Sequence, residues 1–328
     1  MNPKYEDRIF LADQQGFNQL ALDLFRFQYA NNAVYHQYVN ALNLVGEDIQ
    51  RMEDIPFLPI QFFKSHDVIT TTFTPEAVFQ SSGTTQTINS RHYVRDLDLY
   101  RQSFMLAFEQ FYGPVQNWCI IGLLPSYLER SNSSLVVMAD ELIRRSGHPD
   151  SGFYLYEHEK LAAVLQQLEA RRQPTLLIGV TFGLLDFAEK FPMPLKHTII
   201  METGGMKGRR EEMTRQEVHD VLKTAFTLDS IHSEYGMTEL LSQGYSKGEG
   251  IFHTPAWMKI RVRQEDDPFD VRDTGTGIIN VIDLANIYSC CFIATEDVGR
   301  VFDDGSFEVQ GRVDNSDIRG CSLMVAGL

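Results

Sequence analysis

Apolar positions set the first reading of this chain. Up to about residue 50, Phe17, Leu20, Leu22, Leu24 and Phe25 crowd between polar neighbours, and the stretch reads as helical. A loop bearing Pro56 and Pro59 follows, enclosing the aromatic-rich Phe57-Leu58-Pro59-Ile60-Gln61-Phe62-Phe63-Lys64. Thr74 and Pro75 read either as a helix cap and first-turn proline or as a short extended segment ending at Phe79. From 96 to about 260 helix and strand alternate. Asp96 can cap a helix that places Tyr100, Phe104, Ala107, Phe108 and Phe111 at helical spacing, and Trp118 to Leu124 is an apolar run suited to a buried parallel strand. Leu161, Val164, Leu165 and Leu168 predict another amphipathic helix, with strands at Thr175 to Val180 and His197 to Met201. Thr214 and Glu217 form a capping-box pattern before Val218, Val221 and Leu222. Repeated strand–helix–strand units imply a mostly parallel sheet flanked by helices, an α/β fold. Beyond about 256 the pieces are short and β-rich: Met258–Val262, Gly277–Ile282, Cys290–Ala294, Gly299–Val301 and Ser306–Val309. Asp304-Gly305 is the turn dipeptide between the last two.

Composition narrows the function classes. The 328 residues are 43% hydrophobic and 22% charged, ordinary values for a globular chain long enough for one large or two modest cores. No apolar run approaches the roughly 20 residues of a membrane span. Met1 to Arg8 lacks a basic segment followed by an apolar stretch, so no signal peptide is expected. Cys119, Cys290, Cys291 and Cys321 form neither a disulfide framework nor a metal-type spacing, which predicts a reducing, cytoplasmic setting. A net charge of −15 disfavours nucleic acid or an anionic membrane as partner. A phosphate binder in such a chain must rely on a few placed groups in loops.

Four segments offer such groups. Gln80-Ser81-Ser82-Gly83-Thr84-Thr85-Gln86 can turn backbone N–H groups and hydroxyls toward an anion, although it lacks the Gly-Lys-Ser/Thr ending of a P-loop. Taken alone it reads equally as a polar turn. Glu202-Thr203-Gly204-Gly205-Met206 follows a strand, where glycine lets a ligand approach the backbone; a plain strand-to-helix turn likes glycine too. Ser233-Glu234-Tyr235-Gly236-Met237-Thr238-Glu239 offers a flat ring, a hydroxyl and a hard carboxylate oxygen, or simply a helix start. Thr295-Glu296-Asp297-Val298-Gly299-Arg300, with Gly311-Arg312-Val313-Asp314, offers a bidentate acceptor for two ribose hydroxyls and an arginine beside it, or a pair of solvated turns.

The order of these segments resembles the motif series of adenylate-forming enzymes: acyl-CoA synthetases, luciferases and the adenylation domains of peptide synthetases. The resemblance spans roughly residues 57 to 321, and Tyr235-Gly236-Met237-Thr238-Glu239 is its most specific part. Within that superfamily, Phe57-Leu58-Pro59 to Phe63-Lys64 and Arg319-Gly320-Cys321 resemble the LuxE-like acyl-protein synthetases. The resemblance implies the large-domain architecture of that superfamily, mostly parallel sheets flanked by helices with a C-terminal β-rich portion. It implies an AMP-binding domain over 1–312 and a hinge remnant with a short tail over 313–328. The stretch after Asp314 is too short for the mobile C-terminal domain of acyl-CoA synthetases, which is expected to be absent.

The implied activity is activation of a carboxylic acid, fatty or aryl, by ATP and Mg²⁺, followed by acyl transfer to a protein thiol. The implied alternatives are a phenylacetate-CoA-ligase-like enzyme acylating coenzyme A or a carrier protein, and a nucleotide-binding scaffold without turnover. Ser82, Gly83, Thr84 and Thr85 would close over the ATP phosphates; Gly204 and Gly205 would border the adenine and Tyr235 would pack on it. Thr238 and Glu239 would contact the α-phosphate and Mg²⁺, Asp297 the ribose with Arg312 close by, and Cys321 would accept the acyl group. The loop departs from the superfamily pattern: Gln86 to Arg91 contains no lysine, which implies either Arg91 as the substitute or a loop that binds phosphate less firmly.

Overall fold

The computed structural model describes residues 5–81, 88–125, 132–204, 213–265 and 267–313. Three helices open the chain, α1 (Tyr5–Ile9), α2 (Gln14–Asn31) and α3 (Ala33–Ala41). Asp13 caps α2, and Asn32 caps α3 by accepting from the Val34 and Tyr35 amides at 3.1 and 3.0 Å. Strand β1 (Leu58–Pro59) and the single turn α4 (Phe62–Ser65) lie inside the aromatic-rich stretch. The Thr74-Pro75 segment resolves as extended: β2 (Ala77–Gln80) pairs antiparallel with β3 (Arg91–Val94).

The next elements are α5 (Leu97–Tyr112), β4 (Cys119–Leu123), α6 (Ser134–Ser146), β5 (Gly152–Phe153), α7 (His158–Ala170), β6 (Thr175–Val180), α8 (Thr181–Lys190), β7 (Thr198–Thr203), α9 (Arg215–Phe226) and β8 (His232–Tyr235). Asp96 caps α5 at 2.8 and 3.2 Å, and the capping box of Thr214 and Glu217 starts α9. Strands β5, β4, β6, β7 and β8 run parallel in that spatial order.

Why these strands read as unbroken apolar runs follows from their two faces. Ile120, Leu176, Ile178 and Met201 join a large core with Tyr100 and Phe104 of α5 and Val137 and Leu142 of α6. Their sequence neighbours Cys119, Ile121, Leu177 and Ile200 join a second core with Leu161 and Leu165 of α7, Leu184 and Phe187 of α8, and Val218 and Leu222 of α9. Period-2 alternation thus sends successive apolar side chains to opposite helical layers. Full burial of each contributes about 1.5–3 kcal/mol.

Beyond β8 the same sheet continues antiparallel through β9 (Gly244–Ser246) and β10 (Ile251–His253), then β15 (Phe307–Arg312), β14 (Phe292–Val301), β13 (Gly275–Asp283), β11 (Met258–Arg263) and the edge strand β12 (Val271–Arg272). The β-rich C-terminal portion therefore extends the parallel core. The two short strands expected at Cys290–Ala294 and Gly299–Val301 are one ten-residue strand, β14, and the intervening Thr295-Glu296-Asp297 is strand rather than turn. Pairing with β13 on one edge and β15 on the other overrides the polar composition. Gly299 is required there, because a Cβ would lie 2.3 Å from the Glu308 carbonyl oxygen. No helix among the described residues is long and apolar enough to cross a membrane.

Candidate active site

The parallel strands β7 and β8 end side by side, and the first site residues stand there. β7 runs out at Thr203, and Gly204 follows at φ +73°, a left-handed conformation natural to glycine. The Thr181 hydroxyl, first in α8, lies 2.5 Å from both the Glu202 carboxylate and the Gly204 carbonyl. The Thr203 hydroxyl donates to Glu234 at 2.8 Å. Burial pushes the Glu234 carboxyl up to about 7; the Thr203 hydroxyl opposes that shift and the nearby Glu202 charge adds to it. Burial raises Glu202 as well, against the Thr181 hydroxyl.

One residue further on, Tyr235 turns its ring edge against Phe307 at 5.3 Å and Phe252 at 6.0 Å. Its hydroxyl donates to Asp297 Oδ2 at 3.0 Å. Asp297 and Arg312 face each other across β14 and β15, and Arg312 Nε donates to Asp297 Oδ1 at 2.8 Å. Thr295 steadies this part of the strand. Its hydroxyl accepts from the Asp297 amide at 3.1 Å and donates to the Ile279 carbonyl at 2.7 Å. Tyr235, Asp297 and Arg312, distant in sequence, are thus one hydrogen-bonded group. An ionised carboxylate has about four acceptor positions, so Asp297 can accept two more donors such as ribose hydroxyls.

The Thr238-Glu239 segment is not a helix start. It is a turn that leads back into β9, and it is clamped from behind. His92 Nδ1 lies 2.8 Å from the Thr238 carbonyl, and its Nε2 lies 3.0 Å from Asn286 Oδ1. Asn286 donates through Nδ2 to the Glu239 carbonyl at 2.7 Å. Asp283 accepts from the Leu241 and Ser242 amides at 2.7 and 3.0 Å and from the Ser242 hydroxyl at 2.6 Å. Burial pushes His92 down to about 4, so the ring is neutral near pH 7. The clamp is itself tied to the first helices. Gln28 of α2 donates to the carbonyls of Asn286 and Ile287 at 3.0 and 2.9 Å, and Asn32 donates to Ser289 O at 3.0 Å.

Glu239 is buried, 5% exposed. Burial raises its carboxyl above the usual range; a hydrogen bond from Ser90 and the charges of Arg312 and Lys64 draw it back. Ser90 also belongs to the base of the hydroxyl-rich loop, where its amide donates to Ser81 Oγ at 3.0 Å. That loop's flanks therefore meet Glu239. Arg91, the implied stand-in for a loop lysine, pairs instead with Asp67 at 3.0 Å.

Ser82, Gly83, Thr84, Thr85, Gly205, Asp314 and Cys321 lie outside the described residues. Tyr235, Asp297 and Arg312 are joined by hydrogen bonds, Gly204 follows Thr203, which bonds Glu234 beside Tyr235, and Thr238 and Glu239 follow β8 in the next turn. His92, Asp283 and Asn286 were not anticipated. They lie 146 residues (His92 to Thr238) and 47 residues (Asn286 to Glu239) from their partners, so no local spacing marks them. Buried polar side chains next to a motif were the available signal.

The architecture defines the class: the adenylate-forming fold. ATP bound MatB from Rhodopseudomonas palustris superposes with a TM-score of 0.53 at 15% identity, covering 72% of this chain and 48% of that one. Its apo form gives 0.51 at 16% identity, covering 73% and 48%. The chain thus spans about half the length of these solved structures. The sequence profile of the family described as acyl-protein synthetase, LuxE, matches residues 10–327, and the chain belongs to that family. Two curated relatives are long-chain-fatty-acid–luciferin-component ligases. The Vibrio harveyi protein is 22% identical over 98% of this chain and 92% of its own length, and that of Aliivibrio fischeri is 22% identical over 98% and 93%.

Proposed function

We propose that this enzyme condenses a long-chain fatty acid with ATP to an acyl-adenylate and then passes the acyl group to a protein thiol. The observation that carries the reading is the joined Tyr235–Asp297–Arg312 group with the buried Glu239 beside it, at strand ends of a chain that the acyl-protein synthetase family spans. The relatives' named substrate favours a fatty over an aryl acid.

In the first step a carboxylate oxygen bonds to the α-phosphorus, and the bond to the β-phosphate oxygen breaks with its electron pair leaving on pyrophosphate. Two anions must meet, so the protein's work is alignment and charge neutralisation. Asp297 would take the ribose hydroxyls and Arg312 would hold Asp297 in place. Tyr235 would present its ring to the adenine beside Gly204 and Gly205. The loop hydroxyls of Ser82, Thr84 and Thr85, with the Gly83 amide, would hold the phosphates, and Thr238 the α-phosphate.

Among the described residues no group of three or more His, Cys, Asp or Glu is placed to hold a metal. Mg²⁺ delivered on a nucleotide takes one or two carboxylates plus substrate phosphates. Glu239 is the carboxylate available for it. Mg²⁺ bound there would neutralise phosphate charge and polarise the breaking bond.

Acyl transfer needs a reactive thiolate. Burial pushes Cys119 up to about 11 and Cys290 up to about 12, and raises Cys291 well above the ordinary thiol value, so none of these three is a ready nucleophile. Cys321 remains. Its thiolate would bond to the acyl carbon as the bond to the phosphate oxygen breaks and AMP departs, its proton having passed to solvent. Residues 1–312 then serve as the adenylating domain and 313–328 carry Asp314 and the acceptor.

The test is ATP–pyrophosphate exchange with a panel of fatty and aryl acids, followed by mapping of labelled acyl group. Exchange that peaks with long-chain acids and label on Cys321 support the reading. Label appearing only on added coenzyme A or carrier protein favours a ligase of the phenylacetate-CoA type, and AMP binding with no exchange favours a scaffold.

A further inference from the structure

We propose that Lys64 is the cation that receives the β- and γ-phosphates of ATP in this enzyme, an inference that rests on the acid-activation reading above. The assembled site is acidic. Glu202, Glu234, Glu239, Glu296 and Asp297 all stand in its segments, and the stretch from Gln86 to Arg91 contributes no lysine. Some unspent positive charge is needed to offset them.

Among the described residues the neighbouring arginines are occupied. Arg312 holds Asp297 at 2.8 Å, and Arg91 holds Asp67 at 3.0 Å. Arg263 donates to Asn280 Oδ1 at 2.6 Å and to the Thr295 carbonyl at 2.9 Å. Arg215 donates to the Val309 carbonyl at 2.9 Å and lies over the Phe252 ring. Lys64 has no side-chain hydrogen bond or ion pair among the described residues, and it is exposed.

Its backbone is nevertheless held firmly beside the site. β1 pairs with β14 through Leu58 opposite Ile293 and Pro59 opposite Ala294, and the Ile60 amide donates to Ala294 O at 2.9 Å. Gln61 then donates to the Glu296 carboxylate, one residue from Asp297. Phe63 is fully buried with its ring edge-on to His92 at 5.9 Å, and His92 bonds the Thr238 carbonyl. Lys64 follows Phe63 directly. A single anchored turn thus holds Lys64, with its long, flexible side chain, next to the residue that packs behind the Thr238-Glu239 turn. An ammonium on a rotatable stem suits phosphate oxygens that rearrange as pyrophosphate leaves.

The experiment compares Lys64→Gln and Lys64→Arg with wild type in the full chain, using equilibrium binding of a non-hydrolysable ATP analogue and of AMP, then fatty-acid-dependent exchange. Loss of one charged phosphate contact predicts about tenfold weaker binding of the ATP analogue by Lys64→Gln. AMP, which lacks the β- and γ-phosphates, should bind as in wild type, and Lys64→Arg should recover most of the ATP affinity. The exchange rate should fall with the ATP affinity. Equal binding of the ATP analogue by Lys64→Gln and wild type would overturn the proposal, and so would a parallel loss for ATP and AMP. Wild type that binds ATP but exchanges with no acid would instead count against acid activation, while the ATP-to-AMP comparison still decides the role of Lys64.

Discussion

Glu239 is pulled two ways, and both pulls bear on activity. Burial favours its neutral form, whereas the Ser90 hydroxyl, Arg312 and Lys64 favour the carboxylate, with burial prevailing. Metal binding needs the ionised form. Exchange should therefore decline on acidification with a midpoint above that of a surface carboxylate, measured as kcat against pH; a midpoint in the ordinary carboxylate range would exclude Glu239 as the titrating group. Glu239→Ala should lower exchange by on the order of 100-fold, the scale of one lost electrostatic contact to a transition state. Unchanged exchange would remove Glu239 from the site. Glu234 reports differently. Its folded value of about 7 lies above the ordinary carboxylate value, so it favours folding at low pH and that contribution is lost as pH rises through about 7. Glu234→Gln keeps an acceptor for Thr203 and removes the titration. Its stability relative to wild type should improve between pH 5 and 8, followed by urea unfolding at each pH; parallel curves would contradict the assignment.

At the scale of elements, the site is held by packing that begins far from it. Gln28 on α2 fixes the carbonyls of Asn286 and Ile287, and Asn286 fixes Glu239. Gln28→Ala leaves buried carbonyls without a donor and should cost about 1–3 kcal/mol. It should also slow exchange although Gln28 touches no reacting group; thermal unfolding and exchange on the same preparation test both effects. The parallel core supports the other side of the site. Leu177→Ala, in the layer of α7 to α9, should cost about 2–5 kcal/mol through loss of burial and the cavity left behind. Most of this layer was legible beforehand. Thr175–Val180 is the strand the apolar run predicts, and the capping residues Asp96 and Thr214 start the helices they mark. α6 and α8 were not anticipated. α8 begins at Thr181 directly after β6, and the nearby Gly179 and Gly183 lie inside the strand and the helix rather than between them.

For the whole molecule, legibility divides along local and long-range terms. Periodicity and capping are local, so the α/β architecture could be read from the chain. The merger of two expected strands into β14 depends on partners supplied by β13 and β15, which local composition does not encode. The same holds for the site. Tyr235, Glu239, Asp297 and Arg312 announced themselves through motif order, whereas His92, Asp283 and Asn286 are visible only once the sheet brings them behind the Thr238-Glu239 turn. The account depends on these groups meeting around one nucleotide. A crystal structure of the full chain with a non-hydrolysable fatty acyl-adenylate analogue tests that most directly. It should show the ribose hydroxyls about 3 Å from Asp297, a hydrogen-bond separation, with adenine between Gly204 and the Tyr235 ring. A nucleotide bound elsewhere, with the Tyr235–Asp297–Arg312 group untouched, would contradict it.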